Sequence, residues 1–210
     1  MGADLISFAL PRQFASTEGD LLRYCGRIAD AVALPVLVQD FNPGGPTISP
    51  SFVASLHKQH PNVAYLKLEE PMSVDKLMQI RDQLGDAVGL LGGWGGYYML
   101  EAIPAGLRGI MPGVPICDLL DRVYRLRKAS ESETAYDLFA AVLPYIAFSL
   151  QDFETFLQIE KRLMVRRGLF ATARCRDLTR TVSEAVGRHM DFLIDQIVRI
   201  LGQQGLMREE

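Results

Sequence analysis

The first 114 residues switch repeatedly between short apolar runs and amphipathic helical patterns, and the rest of the chain carries helical patterns alone. That alternation constrains the fold most, because strands joined through helices pair in parallel with right-handed crossovers. Five runs read as strands: residues 5–10 (LISFAL), 35–39 (PVLVQ), 63–68 (VAYLKL), 87–91 (AVGLL) and 109–111 (GIM). Each is apolar on both faces, as expected when helices cover one side and a packed interior the other. Thr17 and Asp20 form a capping-box-like start to a helix whose apolar face is Leu21, Leu22, Cys25, Ile28, Ala29 and Val32. Ser49 and Pro50 read as the N-cap and first residue of the next helix. Ser73 reads as the cap of a third, which carries Val74, Leu77, Met78, Ile80 and Leu84, and 97–105 reads as a short fourth.

After Val114 the rhythm stops, and residues 115–128, 131–150, 151–167 and 174–201 all read as helices. The expected organisation is a β/α portion over 1–114 and a helical domain over 115–210, the latter opening with the last helix of the β/α rhythm. Five parallel strands do not close a barrel of this kind, since closure takes eight. The expectation is therefore an open sheet, or further strands ahead of Met1.

Composition narrows the function. The chain is 49% hydrophobic and 22% charged, proportions that support a buried core rather than disorder. A net charge of −3 argues against a nucleic-acid partner, which would require a surplus of Lys and Arg. The uncharged run between Asp86 and Glu101 holds Gly89, Gly92, Gly93, Gly95 and Gly96, too short and too rich in glycine to span a bilayer. No basic start followed by an apolar stretch and a small-residue cleavage site is present, so no membrane partner and a cytoplasmic location are expected. Cys25, Cys117 and Cys175 stand far apart without a CxxC, as reduced thiols would.

Lys67 is the residue that fits a structural role least. It lies in VAYLKL between Leu66 and Leu68, near the C-terminal end of its strand. A lysine there is either a rim residue that snorkels to water or an amine pointing into a packed interior. Burial favours the free amine over the ammonium, and a free amine attacks a ketone. Strand C-termini are where α/β barrels place their chemistry. Glu69 and Glu70 follow at once and read as solvated loop acids, with orientation of the amine as the alternative.

The order of these segments resembles the dihydrodipicolinate synthase and N-acetylneuraminate lyase family of Schiff-base lyases. The matching stretches are Gly2-Ala3-Asp4 and Leu34-Pro35-Val36, each opening a strand, and Leu66-Lys67 with its trailing glutamates, which is similar to the family's Gly-Ile-Lys-Glu. Residues 90–96 are similar to its glycine-containing seventh-strand loop, 105–111 to its eighth strand, and 161–169 (KRLMVRRGL) to its closing helix. The resemblance implies a TIM (β/α)8-barrel fold, here a partial barrel of about five β/α units followed by a C-terminal helical bundle. It also implies class I aldolase chemistry on pyruvate or a 2-keto-3-deoxy sugar acid: Lys67 forms an iminium ion with the ketone, which serves as an electron sink. On this resemblance Gln39, Gly93 and Met111 are the substrate-binding residues, Met111 through its backbone and Gly93 at the pocket floor. A homo-oligomer, dimer or tetramer, is implied, and no cofactor or metal.

The departures matter as much. The family's proton-relay tyrosine falls on Gln39, and an amide cannot deliver a proton as a phenol does. A second family tyrosine aligns approximately with Arg12, and the arginine used for a second substrate falls between Pro43 and Thr47, where Gly44, Gly45 and Pro46 stand. The family's first three strands have no counterpart. Two functional classes follow: a lyase or dehydratase acting on a 2-oxo acid, or a non-catalytic member that binds or serves a structural role.

Other motifs carry less. Gly93-Trp94-Gly95-Gly96 fits neither GxxxxGK[ST] nor GxGxxG ahead of a helix, and reads as a tight loop lining a pocket. His57 and His60 share a helix face without a third ligand, His189 stands alone, and Ser149 and Ser183 have no evident base. Lys161, Arg162, Arg166 and Arg167 read as a solvated face or subunit contact. Phe139, Leu143, Ile146, Phe148, Phe153, Phe156 and Leu157 read as core or subunit interface.

Overall fold

The computed structural model describes residues 2–12, 16–42, 45, 47–176 and 180–207. Five strands, β1 (Ile6–Ala9), β2 (Val36–Phe41), β3 (Val63–Glu69), β4 (Gly89–Gly92) and β5 (Gly109–Ile110), form one sheet in sequence order. All four pairings are parallel. The expected strands and their order are thus observed, with β2 and β3 reaching slightly further toward their C-termini than the apolar runs suggest.

Helices α1 (Glu18–Asp30), α2 (Pro50–Gln59) and α3 (Ser73–Leu84) carry the crossovers. The capping box at Thr17 and Asp20 is formed in both directions, and Ser49 accepts from the Phe52 N–H ahead of Pro50. Ser73 does not cap α3: it is the first helical residue, and the N-cap is Met72, in a left-handed conformation with no side-chain bond. The short helix expected over 97–105 shrinks to α4 (Met99–Ala102), preceded by a 3-10 turn (Trp94–Gly96).

The chain divides into two compact units, Met1–Trp94 with Glu101–Met111, and Gly95–Leu100 with Pro112–Glu210. In the sheet unit, Val36, Val38, Leu66, Leu68 and Leu90 pack against Cys25, Ala29, Phe52, Leu56, Leu77 and Ile80 of the three crossover helices. Strand alternation sends Leu37, Gln39, Tyr65 and Lys67 to the opposite face. On that face of β1 both Ser7 and Ala9 are exposed, while Ile6 and Phe8 are half-buried.

The helical unit contains α5 (Cys117–Lys128), α6 (Ser132–Ser149), α7 (Phe153–Arg166) and α8 (Glu184–Gln203). α8 begins ten residues later than the pattern suggests, where Ser183 accepts from the Val186 N–H. Described residues before it are irregular, and Arg180 is drawn to Asp152 (3.4 Å) and Glu154 instead of starting a helix. The basic stretch of α7 is a solvated face at Arg166, and its arginines are paired. Arg162 and Arg166 bridge to Asp191 (3.5 Å) and Asp195 (2.5 Å) of α8, and Arg167 clasps Asp118 of α5. Phe139 and Ile146 lie in the core, whereas Phe153 is exposed and stacks on Phe156.

Candidate active site

Lys67 and Gln39 are direct register partners on β3 and β2, so their side chains leave the sheet side by side on the face away from the helices. Glu69, two residues on, shares that face. The structure overturns its expected role as a loop acid: Glu69 ends β3, is 7% exposed, and places Oε1 3.0 Å from Lys67 Nζ. Gln39 Nε2 donates to Glu69 Oε2 at 2.7 Å, and the Trp94 N–H donates to Oε1 at 3.4 Å. One carboxylate thus gathers an ammonium, an amide and a backbone N–H. The Trp94 indole N–H donates to the Glu69 carbonyl at 2.6 Å, fixing the strand end as well.

Gly93 explains why a carboxylate fits there. A Cβ on Gly93 would lie 2.2 Å from Glu69 Cγ, well inside contact distance, so only glycine admits this rotamer. The Gly93 and Met111 N–H groups donate to Leu68 (2.8 Å) and Gly92 (2.9 Å), which commits both to the sheet. Met111 therefore sits at the β5 end of the rim with its side chain 38% exposed, and its N–H is not aimed at a ligand.

A second ionic cluster lies on the helix side of the same strand ends. Asp40, 1% exposed, takes Arg12 Nη2 (2.5 Å), Lys76 Nζ (3.0 Å) and the Ile48 N–H (3.0 Å). Lys76 also reaches Glu70 Oε1 at 3.1 Å, and Thr47 donates to the other Glu70 oxygen. Arg12 is accordingly a partner of Asp40. Among the described residues its buried Nε has no hydrogen-bond partner. Pro43, Gly44 and Pro46, in the stretch where a family arginine would fall, lie outside the described residues.

The remaining candidates have structural partners. His57 Nδ1 meets the Val63 carbonyl at 2.9 Å, and His60 Nδ1 meets Asp30 at 2.9 Å. His189 lies between the rings of Phe148 and Phe192. Burial pushes the Cys25 thiol up to about 12, which leaves it unreactive at neutral pH. Among the described residues no cluster of three or more His, Cys, Asp and Glu is placed to hold a metal ion. No described helix is long and apolar enough to cross a membrane.

Comparison with known proteins gives the class first. The fold is that of a dihydrodipicolinate synthase from Rhodopseudomonas palustris, with a TM-score of 0.84 at 23% identity over 93% of this chain and 66% of that one. A 4-hydroxy-tetrahydrodipicolinate synthase from Methylacidiphilum fumariolicum SolV gives 0.81 at 19% identity, over 99% of this chain and 69% of that one. A pyruvate complex of the Acinetobacter baumannii dihydrodipicolinate synthase gives 0.77 at 19% identity, over 93% and 66%. The architecture is thus α/β of TIM-barrel type, five β/α strands followed by helices.

At the level of sequence, the chain is 28% identical over 208 residues to the L-2-keto-3-deoxyarabonate dehydratase of Azospirillum brasilense. That match covers 92% of this chain and 66% of the relative, so the chain spans just under two thirds of its length. No family model matches. Sequence and fold point the same way, and the resemblance to the dihydrodipicolinate synthase and N-acetylneuraminate lyase family is borne out.

Proposed function

We propose that this chain carries the nucleophilic lysine of a Schiff-base lyase acting on a 2-oxo acid, and that its reaction is dehydration of a 2-keto-3-deoxy sugar acid. The observation that carries the reading is the Lys67–Glu69–Gln39 cluster. Glu69 takes a proton from the Lys67 ammonium, and the freed amine adds to the C2 carbonyl to give a carbinolamine. Protonated Glu69 returns that proton as the hydroxyl leaves as water, which forms the iminium ion. The carboxylate then removes a proton from C3; the C3–H pair forms the C2–C3 double bond and the iminium π pair moves onto nitrogen, giving an enamine. Expulsion of the C4 hydroxyl, protonated by Glu69, reverses that flow and leaves a conjugated iminium, which water hydrolyses to restore Lys67. Glu69 thus performs the proton transfers that the family's tyrosine, whose position falls on Gln39, would relay.

In this reading Gln39 orients Glu69, Gly93 keeps the pocket floor open beside it, and Met111 borders the rim. The similarity to a ketodeoxy sugar acid dehydratase favours this substrate class, and the pyruvate complex of a fold neighbour is consistent with a 2-oxo acid. In this reading the β/α barrel portion is 1–114, the last barrel helix and C-terminal helical domain are 115–210, and the protein is a cytoplasmic homo-oligomer.

One observation favours a second reading, a non-catalytic binding or structural protein. Gln39 is the register partner of Lys67 at the position where the resemblance puts a proton-relay tyrosine, and an amide does not deliver a proton as a phenol does. The experiment is intact-protein mass after incubation with pyruvate and borohydride, followed by peptide mapping. A reduced adduct on Lys67 is expected, and absent from Lys67→Arg. Folded protein that gives no adduct, or gives one elsewhere, overturns the lyase reading for this chain.

A further inference from the structure

The two aromatic rings beside the cluster are unexplained by proton transfer. Phe41 is the register partner of Glu69 and follows Gln39 by two residues, so it leaves the same face of the sheet one layer closer to the strand ends. It is 41% exposed, although apolar. Trp94 stands beside it, with ring centroids 6.1 Å apart and planes tilted by 57°. Trp94 is held there against its conformational preference: its φ is +49°, a left-handed value that a bulky residue rarely adopts. Two bonds to Glu69 hold it, one from the indole N–H to the carbonyl and one from the backbone N–H to the carboxylate. A half-exposed ring locked to the catalytic acid by its own polar edge presents an oriented face.

We propose that Phe41 and Trp94 form the platform that selects the tail of the substrate, favouring 2-oxo acids of five or more carbons over pyruvate. The inference rests on the Schiff-base reading of Lys67 and deepens it. Lys67 Nζ lies 3.0 Å from Glu69, so a carbon bonded to it is already at the Glu69 level. A three-carbon ligand ends there. Each further carbon adds a bond of about 1.5 Å, and C4 and C5 extend toward the strand ends, where the rings stand. The C–H groups of a polyhydroxylated chain carry partial positive charge and suit the negative face of an aromatic ring, while its hydroxyls stay in water. Pyruvate makes none of these contacts.

Trp94 is the sole tryptophan of the chain, so selectively excited tryptophan emission reports on this position alone. The probes are a five-carbon aldonic acid and lactate, which lack the ketone and cannot form a Schiff base. The aldonic acid is expected to change the emission saturably in the wild type and in Lys67→Arg, at concentrations at least tenfold below those at which lactate acts. Phe41→Ala, and Phe41→Leu should the smaller residue fold poorly, are expected to weaken the response to the aldonic acid at least tenfold and leave lactate unchanged. Equal responses to the two acids, no response to either, or an aldonic acid response indifferent to both Phe41 variants overturns the platform. A selective emission response without any borohydride adduct would sustain the platform and overturn the lyase reading, which separates the two.

Discussion

The sheet unit and the helical unit bury carboxyl groups in opposite ways. In the sheet unit Asp40 and Glu69, at 1% and 7% exposure, each face a lysine ammonium at 3.0 Å. In the helical unit Glu160, also 7% exposed, is met by the Tyr145 hydroxyl at 3.0 Å. Burial pushes Glu160 up to about 7, partly offset by that hydroxyl bond, and burial together with the adjacent Glu160 raises the tyrosine. One unit therefore sets its interior carboxyls against amines, and the other sets one against a hydroxyl and raises its pKa. Amines stand opposite the carboxyls at the strand ends, and a hydroxyl suffices where helices pack.

The largest expected effect lies at the amine itself. Lys67→Arg preserves a cation beside Glu69 but cannot condense with a ketone, so adduct formation is lost completely while the thermal midpoint stays close to wild type. A midpoint that collapses in this variant would mean that the amine is structural. Next comes Lys76→Met, which removes the ammonium shared by Asp40 and Glu70 and leaves Asp40 with Arg12 and the Ile48 N–H. Breaking a buried pair from one side typically costs about 3–5 kcal/mol, read from denaturant unfolding. Adding Asp40→Asn to Lys76→Met should recover part of that loss, and no recovery would break the account of Asp40 as a paired charge.

Glu160 gives the opposite signature. Its folded value of about 7 lies above the ordinary 4.5, so the folded state holds this proton more tightly than the unfolded chain. Its contribution to stability is full below about pH 4.5, falls as pH rises toward 7, and is flat above that. A shift of this size corresponds to roughly 3 kcal/mol. Glu160→Gln should flatten this part of the pH profile and raise the midpoint above pH 7, as measured by thermal melts from pH 5 to 8. An unchanged profile would erase the contrast between the units. The smallest effects serve as controls: Ser49→Ala and Ser183→Ala each remove a helix cap, one per unit, at about 1 kcal/mol. These losses should be alike and independent of pH, since neither touches a buried charge.

Much of the scaffold was legible because it depends on local patterning. The strand runs, the Thr17 and Ser49 caps and the change to helices after Val114 all follow from periodicity and capping chemistry. Lys67 was legible because an ammonium inside an aliphatic strand demands an explanation. Glu69 was not, although a signal existed: if the strand continues, parity puts residues 67 and 69 on one face. The apolar run ends at Leu68, and two consecutive acids look like the start of a loop. The Asp40–Lys76 and Tyr145–Glu160 pairs join residues 36 and 15 positions apart on different elements, and nothing local encodes either. Met72 in place of Ser73 as the α3 cap reflects a left-handed turn that side-chain preference does not anticipate.

The close approach of Gly93 to Glu69 has a consequence for how such a site can change over generations. Any side chain at 93 forces Glu69 out of the rotamer that meets Lys67 unless 69 shrinks first, because the Glu69 Cγ occupies the space where a Cβ would stand. Exchanges at these two positions are therefore ordered: a descendant can shed the acid and later replace the glycine, whereas the reverse breaks the Lys67 contact at once. A related chain that has a larger residue at 93 would have parted already with this acid or with its contact to the lysine. Directed evolution toward other chemistry on this scaffold should accordingly vary the two codons together.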